Sequence, residues 1–76
     1  GSEGVFGLQR AFKMAGVEYI IASLWKVPDA ETAEMMIYFY ENLAKSESIE
    51  VAFRNAQLKM RKKYPPYYWA GFVLTK

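Results

Sequence analysis

Six consecutive residues, Tyr19-Ile20-Ile21-Ala22-Ser23-Leu24, narrow the possible folds of this chain more than any others. They are rich in β-formers and apolar on both alternations. That pattern predicts a strand covered on both faces, central in a parallel or mixed sheet, where an isolated hairpin strand would alternate.

The flanking segments supply candidate partners. Val5, Leu8, Phe12 and Ala15 recur at helical spacing before Gly16, which predicts a first helix with a glycine stop. Pro28-Asp29 opens a second helix, with Asp29 as N-cap and Glu31 at the positive helix end. Its stripe is Ala33, Met36, Ile37, Tyr40, Leu43 and Ala44, with a second row of Met35, Tyr38 and Phe39 beside it. After a loop over Lys45-Ser46-Glu47-Ser48, Ser48 caps a third helix with Ile49, Ala52, Phe53, Ala56 and Met60 on one face. Lys59, Arg61, Lys62 and Lys63 crowd its end, as the negative helix terminus prefers. Tyr64-Pro65-Pro66 breaks it, and Trp69 to Leu74 reads as a last strand. The order helix-strand-helix-helix-strand predicts an α/β fold with the two strands parallel across a right-handed crossover. Two strands make a poor sheet, so the chain reads as one end of a larger three-layer α-β-α domain.

The inventory of reactive groups is short. The chain has no Cys and no His, which removes thiol nucleophiles, imidazole acid–base work, thiolate zinc sites and disulfide frameworks. The remaining carboxylates, lysines and hydroxyls stand in no catalytic or ligand spacing, so no catalytic residue, metal or cofactor is expected of this chain alone. A hydrophobic share of 53% is high for one small unit without staples, and implies that some side chains face something else. A net charge of +2 is too slight to imply an acidic partner. The longest uncharged stretch, Tyr64 to Thr75, holds two prolines and is too short to span a bilayer. A cytoplasmic protein is the default expectation.

Five motifs in order carry a resemblance across the whole chain. Glu3-Gly4-Val5-Phe6-Gly7-Leu8-Gln9-Arg10-Ala11-Phe12 leads into Ala15-Gly16, and then comes Ala22-Ser23-Leu24-Trp25-Lys26-Val27 with Asp29 and Thr32. Phe39-Tyr40-Glu41-Asn42-Leu43, Ala52 to Leu58 and Tyr68-Trp69-Ala70-Gly71-Phe72-Val73-Leu74 follow. Together they resemble the C-terminal part of CHAT domains, caspase-like domains associated with tetratricopeptide repeats. Gly71 departs from the family, where Ala is more common after Trp-Ala, and position 28 varies among relatives. The resemblance implies kinship with caspases, separases and gingipains, whose peptidases use a His–Cys dyad. In the family the His-Gly and Ala-Cys motifs precede the Glu-Gly-Val segment, so residues 1–76 would be the non-catalytic C-terminal segment.

On this reading the chain supplies sheet, core and part of a substrate groove to a parent that cleaves peptides. Ser23, Leu24 and Trp25 are candidate pocket residues, since they end the first strand where α/β sheets place ligands and the resemblance implies that this segment lines the pocket. Lys26, as a steering charge, and Asp29, beyond its role as cap, are the further candidates. The resemblance also implies an acidic residue near Asp29 that favours basic side chains in separases. A parent that has lost the dyad would instead serve as an interaction scaffold beside its repeats. The basic run with Tyr64, Tyr67 and Tyr68 suggests a nucleic-acid adaptor only remotely, because the helix dipole accounts for it. The expected partners are a peptide or protein substrate and the rest of the parent, with no membrane and no nucleic acid. Apolar surface left over by the fragment would promote self-association.

Overall fold

A computed structural model describes residues 8–45 and 47–76. Val5 in the expected first helix, the Glu3–Gly7 end of the first motif, and Ser46 in the expected loop lie outside them. Three strands form one sheet in the order β1 (Gln9–Met14), β2 (Val17–Ser23) and β3 (Phe72–Thr75), with helices α1 (Asp29–Ala44) and α2 (Ile49–Arg61) between β2 and β3.

β2 is central, as its apolar character predicts, and Tyr19, Ile21, Ala22 and Ser23 are buried. Both of its pairings are antiparallel, however, with Phe12 opposite Tyr19 on one side and Ser23 opposite Phe72 on the other. The parallel crossover is therefore corrected. A pair of antiparallel helices returns the chain to the end of the sheet it left, so the next strand must run backwards.

The expected helix over Val5 to Ala15 is also corrected, since Gln9–Met14 is a strand. Residues four apart share a face in a helix and in a strand alike. Leu8 and Phe12 therefore fit either structure, and both pack on the core here. The turn from β1 into β2 uses Ala15 at φ 54 and Gly16 at φ 81, the two positive values that mirror-image hairpin turns demand.

Phe12, Tyr19, Ile21, Phe72 and Leu74 share one sheet face, and both helices pack against it. Phe12 meets Phe39 of α1 with ring centroids 5.5 Å apart, and Phe39 meets Phe53 of α2 at 6.4 Å. The Cα trace is 15 Å in its thin dimension, the depth of one sheet and one helix layer. Among the described residues the architecture is thus two-layer, one sheet and one layer of helices. Within α1 the buried residues are Met35, Met36 and Phe39, while Ile37 and Tyr40 of the expected stripe are exposed. The buried face of α1 thus straddles the two rows, with Met36 from the first, Met35 and Phe39 from the second, and Tyr38 half-buried beside them. All five expected core positions of α2, Ile49, Ala52, Phe53, Ala56 and Met60, are buried.

The caps divide in the same way. Ser48 accepts from the Val51 amide at 3.2 Å, as expected. Pro28, with no side-chain cap bond, stands at the N-cap of α1, so Asp29 is its first helical residue and serves the helix dipole only. The last strand starts at Phe72, later than expected. Pro66–Tyr68 form a 3-10 turn, and the Gln57 side chain donates to the carbonyls of Trp69 (2.9 Å) and Phe72 (3.1 Å), which holds that segment against α2.

The hairpin turn yields a prediction. A side chain at positive φ costs about 1–2 kcal/mol, and Asn tolerates that region better than Ala. Ala15→Asn should stabilise the chain by about 0.5–1 kcal/mol, and Gly16→Ala should destabilise it by about 1–2 kcal/mol. Chemical denaturation of both variants checks the pair, and the reverse order would remove the turn as described.

Candidate functional site

The end of β2 is fastened to the turn before β3 by three hydrogen bonds. The Leu24 amide donates to the Gly71 carbonyl at 2.8 Å. The Trp25 indole N–H donates to the Tyr67 carbonyl at 2.8 Å, and the Tyr67 hydroxyl donates back to the Lys26 carbonyl at 2.8 Å. The rings of Trp25 and Tyr67 stack with centroids 6.4 Å apart and planes 17° apart. Trp25 lies so close to Gly71 that a Cβ there would fall 2.7 Å from the indole. This clamp orders the turn yet leaves much of it open to solvent, with Leu24 47%, Trp25 36% and Tyr67 52% exposed. An apolar, pre-ordered surface of this kind loses little conformational freedom when it meets an extended peptide.

The five residues expected from sequence are not all at this surface. Leu24 and Trp25 form it with Tyr67. Lys26 is exposed and joins through its backbone carbonyl. Ser23 is only 1% exposed and sits inside the sheet. Asp29 is exposed at the start of α1. The argument from the carboxyl ends of parallel strands does not carry over to an antiparallel sheet, so the site rests on the clamp instead. Tyr67 and Gly71 were not singled out as site residues. The signals were faint: a tyrosine straight after Pro65-Pro66, and a glycine inside the Trp69-Ala70-Gly71-Phe72 run.

A family model described as the CHAT domain matches residues 1–76. The chain belongs to the CHAT domain family. Tetratricopeptide repeat protein 28 of Homo sapiens is 34% identical to it over 76 residues, a stretch that covers 96% of this chain and 3% of that protein. The Mus musculus protein of the same name is 32% identical over 77 residues, with the same coverage. The chain thus spans about 3% of the length of these curated relatives. No solved structure is a significant match.

The remaining polar cluster of this CHAT segment joins the two helices. Glu34 of α1 accepts hydrogen bonds from Lys63 and Tyr38 and, at 2.6 Å, from the Tyr64 hydroxyl. The Lys63 ammonium also donates to the Tyr38 hydroxyl at 3.1 Å, and Lys59 lies 4.5 Å above the Tyr38 ring. Lys63 is therefore engaged by a carboxylate as well as by its place beyond the helix end. With every near partner a donor to Glu34, the cluster reads as a strut, not as acid–base machinery. Among the described residues no group of three or more His, Cys, Asp or Glu is placed to hold a metal ion. No helix there is long and apolar enough to cross a membrane.

The strut has a pH signature. The hydrogen bond from Lys63, then those from Tyr38 and Tyr64, lower the Glu34 carboxyl to about 2 from an ordinary 4.5. A group depressed in the folded state contributes stability above its unfolded value and loses it as pH falls through the folded one. Glu34 should therefore hold α1 to the end of α2 above about pH 4.5 and release it progressively toward pH 2. Melting temperatures across that window should fall less steeply in Glu34→Gln than in the unaltered chain. Parallel curves would show that Glu34 does not supply the slope.

Proposed function

We propose that this chain is the C-terminal, non-catalytic segment of a caspase-like CHAT domain, and that it contributes the surface of Leu24, Trp25 and Tyr67 to a groove for an extended peptide. The family membership and the occurrence of its relatives in proteins named for tetratricopeptide repeats support a parent that joins such a domain to repeats. The observation that carries the groove is the clamp. Two large aromatic side chains are locked by reciprocal hydrogen bonds and stacked on each other, yet remain substantially exposed. A tryptophan placed only to close the core would be buried further. Exposed, ordered Trp and Tyr are the side chains that most often anchor a bound polypeptide.

Within that proposal the chemistry belongs to the parent. This chain has no His or Cys, so the thiol and imidazole of a dyad would come from outside it. The role of residues 1–76 is to bind and orient. The indole and phenol rings cover apolar side chains of the peptide, and the hydrogen-bonded turn keeps them in place before it arrives.

The test uses Trp25→Ala and Tyr67→Ala in the complete parent domain, with melting temperature measured beside peptide binding and peptide cleavage. A fully buried Trp would cost about 3–5 kcal/mol of stability, and a clamped but open one should cost less. Peptide binding should fall at least about tenfold, as for an anchor residue. Loss of folding with no selective loss of recognition would return Trp25 to the core. Binding without cleavage in the unaltered parent would make it an interaction scaffold that keeps the groove.

A further inference from the structure

The solvent side of the α1–α2 pair forms an open groove, well away in character from the aromatic turn. Lys45 lines it at the end of α1, and Lys59, Arg61 and Lys62 line it from the end of α2, with Glu47 the one carboxylate. Four cations against one carboxylate give the groove +3, more than the +2 of the entire chain. Lys45, Arg61 and Lys62 make no ion pair within the described residues. Lys45 is the C-cap of α1 and the other three stand at the end of α2, so two helix C-termini bring their cations to one groove. Between them Leu58 is 45% exposed.

We infer that this groove docks an acidic amphipathic helix. The groove runs from Asn42, Lys45 and Glu47 along α2 from Asn55 to Lys62, about 10 Å at 1.5 Å per residue, which seats roughly two turns of an incoming helix. Leu58 supplies the apolar contact at its centre, and the unpaired cations face carboxylates on the rim of the incoming helix. The polar side chains in between are already committed. Asn42 donates to the Ala52 carbonyl at 3.0 Å, and Asn55 donates to Glu47 at 3.4 Å. Recognition thus rests on charge and one apolar anchor. A nucleic acid fits less well, because the groove offers no open aromatic ring for a base. The Tyr38 ring at its side is covered by Lys59.

The experiment measures fluorescence anisotropy of three labelled probes with the chain: a Leu-striped helical peptide flanked by Glu, the same peptide with Gln for every Glu, and a single-stranded RNA. The Glu peptide should bind and weaken as salt rises, and the Gln peptide should bind at least about tenfold more weakly. Reversing two charges with Arg61→Glu and Lys62→Glu should weaken the Glu peptide about tenfold or more, and Leu58→Ser should weaken it several-fold. Lys45→Glu gives the same readout from the far end of the groove if the double variant is poorly folded by circular dichroism. Absence of Glu-peptide binding, or binding unchanged by these substitutions, overturns the inference. Tighter binding of the RNA, insensitive to Leu58→Ser, assigns the cations to nucleic acid and overturns it too.

Discussion

Every other contact in this small unit depends on β2 having a strand on each edge. Its backbone could not be buried otherwise, because each unpaired amide or carbonyl taken from water costs free energy comparable to a lost hydrogen bond. β1 supplies one ladder through a two-residue turn, and β3 supplies the other after two helices. Once those ladders form, Tyr19, Ile21 and Phe72 share a face, and α1 and α2 have a surface on which to bury Met35, Phe39, Ala52, Phe53, Ala56 and Met60. The helices then hold the last strand in return, through the two hydrogen bonds from Gln57.

The candidate site follows from that same pairing. Ser23 opposite Phe72 brings the end of β2 beside the turn before β3. Residues some forty positions apart in sequence can then exchange hydrogen bonds, and the aromatic turn becomes ordered without being buried. Gly71 is the local condition for this, since any larger residue would displace the indole from its seat. The proposed binding surface and the fold share one set of contacts.

How much of this was legible in the sequence depended on the range of the interaction. α2 was readable residue by residue, because a single apolar face at helical spacing and a capping serine are local signals. The centrality of β2 was readable for the same reason. In α1 two apolar rows competed, and only the position of α2 decides that Met35 and Phe39 face the core while Ile37 and Tyr40 do not. The four-residue spacing of Leu8 and Phe12 suits a helix or a strand alike, and only pairing with β2 makes β1 a strand. Leu24 and Trp25 could be picked out as a large apolar pair leaving a buried strand. Tyr67 and Gly71 could not, since their roles exist only across the closed sheet. The groove cations were visible as a run, but the addition of Lys45 from the other helix was not.

The clamp at Trp25 carries both the fold of the turn and the proposed surface, and nuclear magnetic resonance of Gly71 reads it most directly. A proton held against the face of an indole is shifted upfield by the ring current, and the indole sits within van der Waals distance of this glycine. The account predicts an upfield-shifted Gly71 α-proton in the parent domain, returned to the ordinary range by Trp25→Ala, together with a Trp25 indole N–H that exchanges slowly with solvent. A Gly71 α-proton at its ordinary position, with a rapidly exchanging Trp25 indole N–H, would contradict it.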